Sequence, residues 1–175
     1  MIKSFLSRLA FLLLTILVVS CDDEPNNPIS DASIFGEWTL QSMQYSGGNT
    51  VVSGNETYAA EFNGTAKNIS TTMTLNEDGT YTSMGNYTVD VAFTFGNQTF
   101  TQETTYTDFL GGGTYTRSDD LLTFTFDPNE EAMEGQIIRL SDTELSLKVL
   151  VITESVDNES TSRVRIDGQY EFVRN

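Results

Sequence analysis

The residues whose types and spacing first suggest chemistry in this chain are paired carboxylates and one thiol. None of its 175 residues is histidine, which excludes imidazole-based triads and imidazole metal sites. Twenty-five aspartates and glutamates stand against nine lysines and arginines. Asp119 beside Asp120, and Glu130 four residues before Glu134, have the closeness from which an acid and a base can be made. Their surroundings read as turns or solvated charge, and a glycosidase pair needs a spatial separation that sequence spacing does not supply. Asn76-x-Asp78-Gly79 begins like a calcium loop but lacks the later glutamate that would complete one. Gly111-Gly112-Gly113 has neither the lysine nor the following helix of a phosphate loop, and reads as a flexible connector. Cys21 is the one cysteine, so it has no partner for an internal disulfide. Catalysis, a metal and a cofactor are therefore not expected.

The thiol is informative through its setting. Lys3 and Arg8 precede an apolar run from Leu9 to Val19, broken only by Thr15, with Ser20 and Cys21 after it. A cationic start, a short apolar core and a small residue form the pattern of a secretory signal. As a helix the eleven residues from Leu9 to Val19 rise about 16 Å, roughly half of a hydrocarbon core ~30 Å thick. That is short for a permanent span. Val18-Val19-Ser20-Cys21 resembles the bacterial lipobox, which implies cleavage before Cys21, diacylglycerol on its thiol and a triacylated N-terminus in a Gram-negative envelope. Several acyl chains hold a protein firmly where one does not. Asp22-Asp23-Glu24 resembles an export signal of surface lipoproteins, which implies an outer-membrane place, facing either the periplasm or the cell surface.

Loss of residues 1–20 would remove Lys3 and Arg8 and no acid, taking the net charge from −16 to about −18. A basic footprint for nucleic acid is missing, as is one for anionic lipid. Residues 21–33 carry Pro25, Pro28, Asn26 and Asn27 without apolar periodicity, the composition of a flexible tether. Residues 34–175 are enough for one domain with one core.

Within that domain the period is two. Trp38 and Leu40 alternate with Glu37, Thr39 and Gln41, and Gly47-Gly48-Asn49 reads as the end of the first strand. Thr50–Ser70 is hard to read; Thr57–Phe62 is taken as strand, with a turn at Asn63-Gly64. Thr71–Leu75 and Thr80–Met84 flank Asn76-Glu77-Asp78-Gly79 as a hairpin. Tyr87, Val89, Val91, Phe93 and Phe95 put five large apolar side chains on one strand face. Gly96-Asn97 then turns the chain into Gln98–Tyr106. Thr114–Arg117 pairs with Leu121–Phe126, and Gly135–Leu140 with Glu144–Thr153. Glu130–Glu134 reads as a single helical turn. Thr161–Ile166 and Gln169–Val173 are expected to close the domain across Asp167-Gly168. Eight to ten short strands without a long helix predict an all-β fold, a single antiparallel meander barrel, since closure removes exposed edges.

Short pieces in a fixed order resemble the lipocalin-like domains of bacterial lipoproteins: Gly36-x-Trp38-x-Leu40, Leu75–Tyr81, Gly113-x-Tyr115, Leu121–Phe126, Leu140–Leu145 and Tyr170-Glu171-Phe172. The resemblance implies a structural Trp38 packed across the closed end of the barrel. Residues expected to face inward are Leu40, Tyr87, Val89, Val91, Phe93, Leu122, Phe124, Leu147 and Val149. They either line a site for a small apolar molecule or fill the interior themselves. The two matching functions are a non-catalytic binding protein and a solid-cored module serving an envelope protein partner. Metabolic labelling with palmitate is expected to mark the wild-type chain and to vanish in Cys21→Ala; label that survives the substitution rules out this anchor.

Overall fold

The structure, a computed structural model, describes residues 32–108, 110–128, 131–157 and 160–175. The signal segment, Cys21 and all but the last two tether residues lie outside the described residues. So does Glu130.

Eleven antiparallel strands follow one another: β1 (Gly36–Ser53), β2 (Glu56–Lys67), β3 (Thr72–Leu75), β4 (Thr80–Met84), β5 (Asn86–Phe95), β6 (Gln98–Thr107), β7 (Gly112–Ser118), β8 (Leu121–Phe126), β9 (Ala132–Leu140), β10 (Glu144–Asp157) and β11 (Ser160–Arg174). No helix is present among the described residues. Six of these strands are three passes of chain, each interrupted once. Both β2 and β3 pair with β1, β5 and β4 follow on their far side, and β6 and β7 follow in turn. Gly85, at φ +101°, makes the break between β4 and β5, where a side chain would meet the Ser70 carbonyl oxygen. Counted by passes the sheet is an eight-stranded meander, closed by β11 against β1. The all-β meander barrel expected from the alternation is therefore the fold.

The strands are longer than expected at three places. Gly47-Gly48-Asn49 lies inside β1, Asn63-Gly64 inside β2 and Asp167-Gly168 inside β11. Cross-strand pairing overrides the turn chemistry that each dipeptide carries alone. Gly112 and Gly113 similarly belong to β7, and only Gly111 sits in the turn. The expected helical turn is also absent from its described part, since Ala132-Met133-Glu134 opens β9.

One end of the barrel is solid. Trp38, Leu40, Met73, Leu75, Tyr81, Leu122, Phe124, Ile137, Leu140 and Leu145 are buried there. Tyr81 meets Phe124 edge-on at 5.1 Å, a favoured aromatic geometry, and donates its hydroxyl to the Leu110 carbonyl at 3.1 Å. The Trp38 indole N–H donates to the Ile34 carbonyl at 2.8 Å. Arg174 stacks over the Trp38 ring at 4.2 Å and donates to the carbonyls of Asp142, Phe35 and Ser33. Its cation satisfies backbone groups while covering the ring face.

The outer wall is polar over β2, β5 and β6. Thr65, Asp90, Glu103 and Lys67 project outward from neighbouring strands, and Lys67 bridges Asp90 at 2.8 Å and Glu103 at 2.7 Å. A barrel facing lipid has the reverse order, apolar outside. Trp38→Ala is expected to cost about 3–5 kcal/mol, read as a lowered urea midpoint; a midpoint unchanged within error would show that the floor does not depend on this ring.

Candidate ligand cavity

The passes of the barrel differ in height. Three hairpin tips reach the far end, whereas β8 has six residues and β9 nine. β10 pairs with β9 only from Leu145 to Val149. Above that point, among the described residues, Leu150–Asp157 pairs with β11 alone and β6 with β5 alone. These two free edges flank a window over the short β8–β9 hairpin.

Inside the window lies a cavity of about 370 Å³. Register sorts its wall into rows. In one row Val149, Gly168, Tyr45, Gly64, Val91 and Gln102 stand side by side across six strands. In the next, towards the open end, come Val151, Ile166, Gly47, Phe62, Phe93 and Phe100. Tyr45 is thus flanked by two glycines. A Cβ on Gly64 would fall 2.4 Å from the Tyr45 ring, and one on Gly47 would fall 2.6 Å from Phe62. Missing side chains on the inner face let these rings lie across the wall, the close approach for which a strand glycine is suited. Tyr45 and Phe62 meet edge-on at 6.1 Å, and Tyr87 stacks on Tyr106 at 5.4 Å.

Four residues expected to face inward line the cavity: Tyr87, Val91, Phe93 and Val149. The other five, Leu40, Val89, Leu122, Phe124 and Leu147, are buried in the packed core instead. Both sequence alternatives therefore coexist, a filled floor and a hollow upper half. Met43, Tyr45, Phe62, Tyr106, Met133, Ile166 and Tyr170 also line the cavity and were not anticipated. Period two carried through Gly47, Gly64 and Gly168 would have found most of them.

The remaining chemical candidates do not converge here. Asp120 accepts from the Gln136 amide at 3.0 Å and Glu134 is exposed on β9. Asp78 accepts from the Thr80 amide at 2.9 Å and the Thr80 hydroxyl at 2.6 Å, and these bonds hold its carboxyl below the usual carboxylate range. It closes its own turn.

Among the described residues, no lysine, arginine, aspartate or glutamate lines the cavity. Four tyrosines do, and burial dominates the ionisation of Tyr45, Tyr87 and Tyr170. It pushes the Tyr170 hydroxyl up to about 12, with smaller repulsion from Tyr45 and Tyr106. Tyr87 is raised by the same cause, with Tyr170 and Tyr106 adding to it, and Tyr45 is raised by burial and then by Tyr106.

No family model matches the chain, and no curated relative matches it. Among solved structures, the crystal structure of Ail, the attachment invasion locus protein of Yersinia pestis, is similar over 79% of this chain and 99% of that one, at 8% identity and a TM-score of 0.25.

Folded tyrosines that ionise late make stability pH-dependent. The unfolded chain releases these protons near pH ~10, before the folded state does. Their contribution is complete below that pH and is lost as pH rises from there through about 12, the Tyr170 value. The urea midpoint is expected to fall between pH 9 and pH 11, less steeply in Tyr170→Phe; a midpoint that rises over this interval would contradict the burial of these phenols.

Proposed function

We propose that this chain is a lipid-anchored lipoprotein of the outer membrane whose lipocalin-like barrel binds a small apolar molecule without catalysis. The observation that carries the reading is the window-opened cavity of about 370 Å³. Its size falls within the ~300–1,000 Å³ of ordinary ligand sites. An interior meant only for stability would be filled to native density, as the floor is. Cys21 and the acidic residues after it support the anchor. The polar outer wall suits a domain held in water beside the membrane.

A second reading rests on a different surface. Leu150, Ile152 and Val156 are exposed on the outer face of β10, along a stretch that pairs only with β11 among the described residues. An apolar stripe on a free edge suits strand addition by an envelope protein partner.

Native mass spectrometry of the protein isolated from its own envelope separates the two. The ligand reading expects a retained small-molecule mass, and the partner reading a stoichiometric second polypeptide. With purified protein, N-phenyl-1-naphthylamine is expected to fluoresce in the cavity. Val151→Trp, at the half-exposed rim, should abolish the signal with the fold intact by circular dichroism. An undiminished signal would place the dye elsewhere.

A further inference from the structure

The cavity is more specific than its apolar character requires. Six aromatic rings, those of Tyr45, Phe62, Tyr87, Phe93, Tyr106 and Tyr170, stand among its lining residues. Rings of this kind present a negative face and attract cations held within about 6 Å of the centroid. Among the described residues no lysine or arginine lines the cavity to receive an anion, and the chain as a whole carries a net charge of −16. A field of that sign concentrates cations at a cleft and repels carboxylates. Aliphatic side chains such as Met43 and Val149 complete the wall, so a bare metal or ammonium ion would find little there to replace its water. The window keeps one side of the cavity open, and a charge near it retains part of its hydration, which lowers the cost of entry. From these observations we infer that the ligand is a lipophilic organic cation of the quaternary-ammonium class, held by the aromatic belt rather than by a counter-ion. The inference rests on the cavity being a ligand site, as proposed above.

Charge and shape can be tested apart. Benzyltrimethylammonium and neopentylbenzene have the same shape and differ in one positive charge; 3-phenylpropanoate supplies the opposite sign. Calorimetry or ligand-observed NMR on the purified full-length protein in low salt is expected to show the cation binding at least tenfold more tightly than its neutral isostere, with the carboxylate weakest. Tyr106 lies on the edge strand β6, is 42% exposed and stacks on Tyr87, so Tyr106→Leu removes one ring of the belt while keeping an apolar side chain against Tyr87, with the fold checked by circular dichroism. That variant is expected to bind the cation several-fold more weakly and to lose more affinity for the cation than for the neutral isostere; an equal loss for both overturns the role given to the ring face. Equal affinity for cation and isostere overturns the inference and leaves the apolar-site reading standing. Tighter binding of the carboxylate also overturns it. Failure of all three probes to bind overturns both.

Discussion

The pairing of β1 with β11 is the constraint on which the remaining architecture hangs. Fifteen residue pairs run from Trp38 opposite Arg174 to Ser53 opposite Ser160. This seam joins the two ends of the domain and turns an open meander into a ring, so two long edges disappear at once. It also brings Arg174 onto Trp38 and the Ser33–Phe35 carbonyls. The floor is thereby sealed by residues from opposite ends of the domain. Because contact across the seam spans most of the sequence, its ordering cost is high. Alternate positions along both strands repay that cost by facing inward, as Leu40, Met43, Phe172 and Tyr170 do.

Closure at the floor allows the upper half to differ. With β8 and β9 short, the ring is complete only around the packed core, and six strands continue beyond it as a curved half-wall. Its inner face carries apolar side chains that have nothing opposite them across the window. Phe93, Phe95 and Phe100 are consequently exposed although they sit on the inner face. Exposure of that kind is costly in a soluble protein unless something occupies the space. The solid end supplies stability, and the open end can therefore remain hollow.

Much of this could be read from residue order, because period two is a local property. The Tyr87–Phe95 strand, the Leu75–Thr80 hairpin and the Leu121–Phe126 strand all declare themselves through alternation. The upper wall was harder. Gly47-Gly48, Asn63-Gly64 and Asp167-Gly168 are turn signals in isolation, and only pairing with neighbours distant in sequence makes them strand. Those same glycines shape the cavity. The error in reading them as turns and the failure to foresee Tyr45, Phe62 and Tyr170 as lining residues thus have one cause. Height was illegible for a related reason: nothing local in Leu121–Leu140 announces that its hairpin stops short while the others continue. Cys21 is the opposite case, since its meaning lies wholly in local sequence and lies outside the described residues.

A half-wall with two free edges and an aromatic inner face ought to aggregate, and its composition answers that hazard. The outer face of β6 carries Thr99, Thr101, Glu103, Thr105 and Thr107, and this row of β-branched hydroxyls favours strand without adding apolar surface. Lys67 holds Asp90 and Glu103 on three adjacent strands, so the β6 edge carries charge where a neighbouring chain would approach. Exposed pairs like these contribute little to stability, and their value lies in what they repel. A net charge of −16 extends the same effect over the whole surface. On β10 the protection is thinner, with Glu154 and Asp157 beside Leu150, Ile152 and Val156. The two sides of the window are therefore unequal: β6 is guarded by charge, and β10 is the side on which a partner strand would meet apolar side chains.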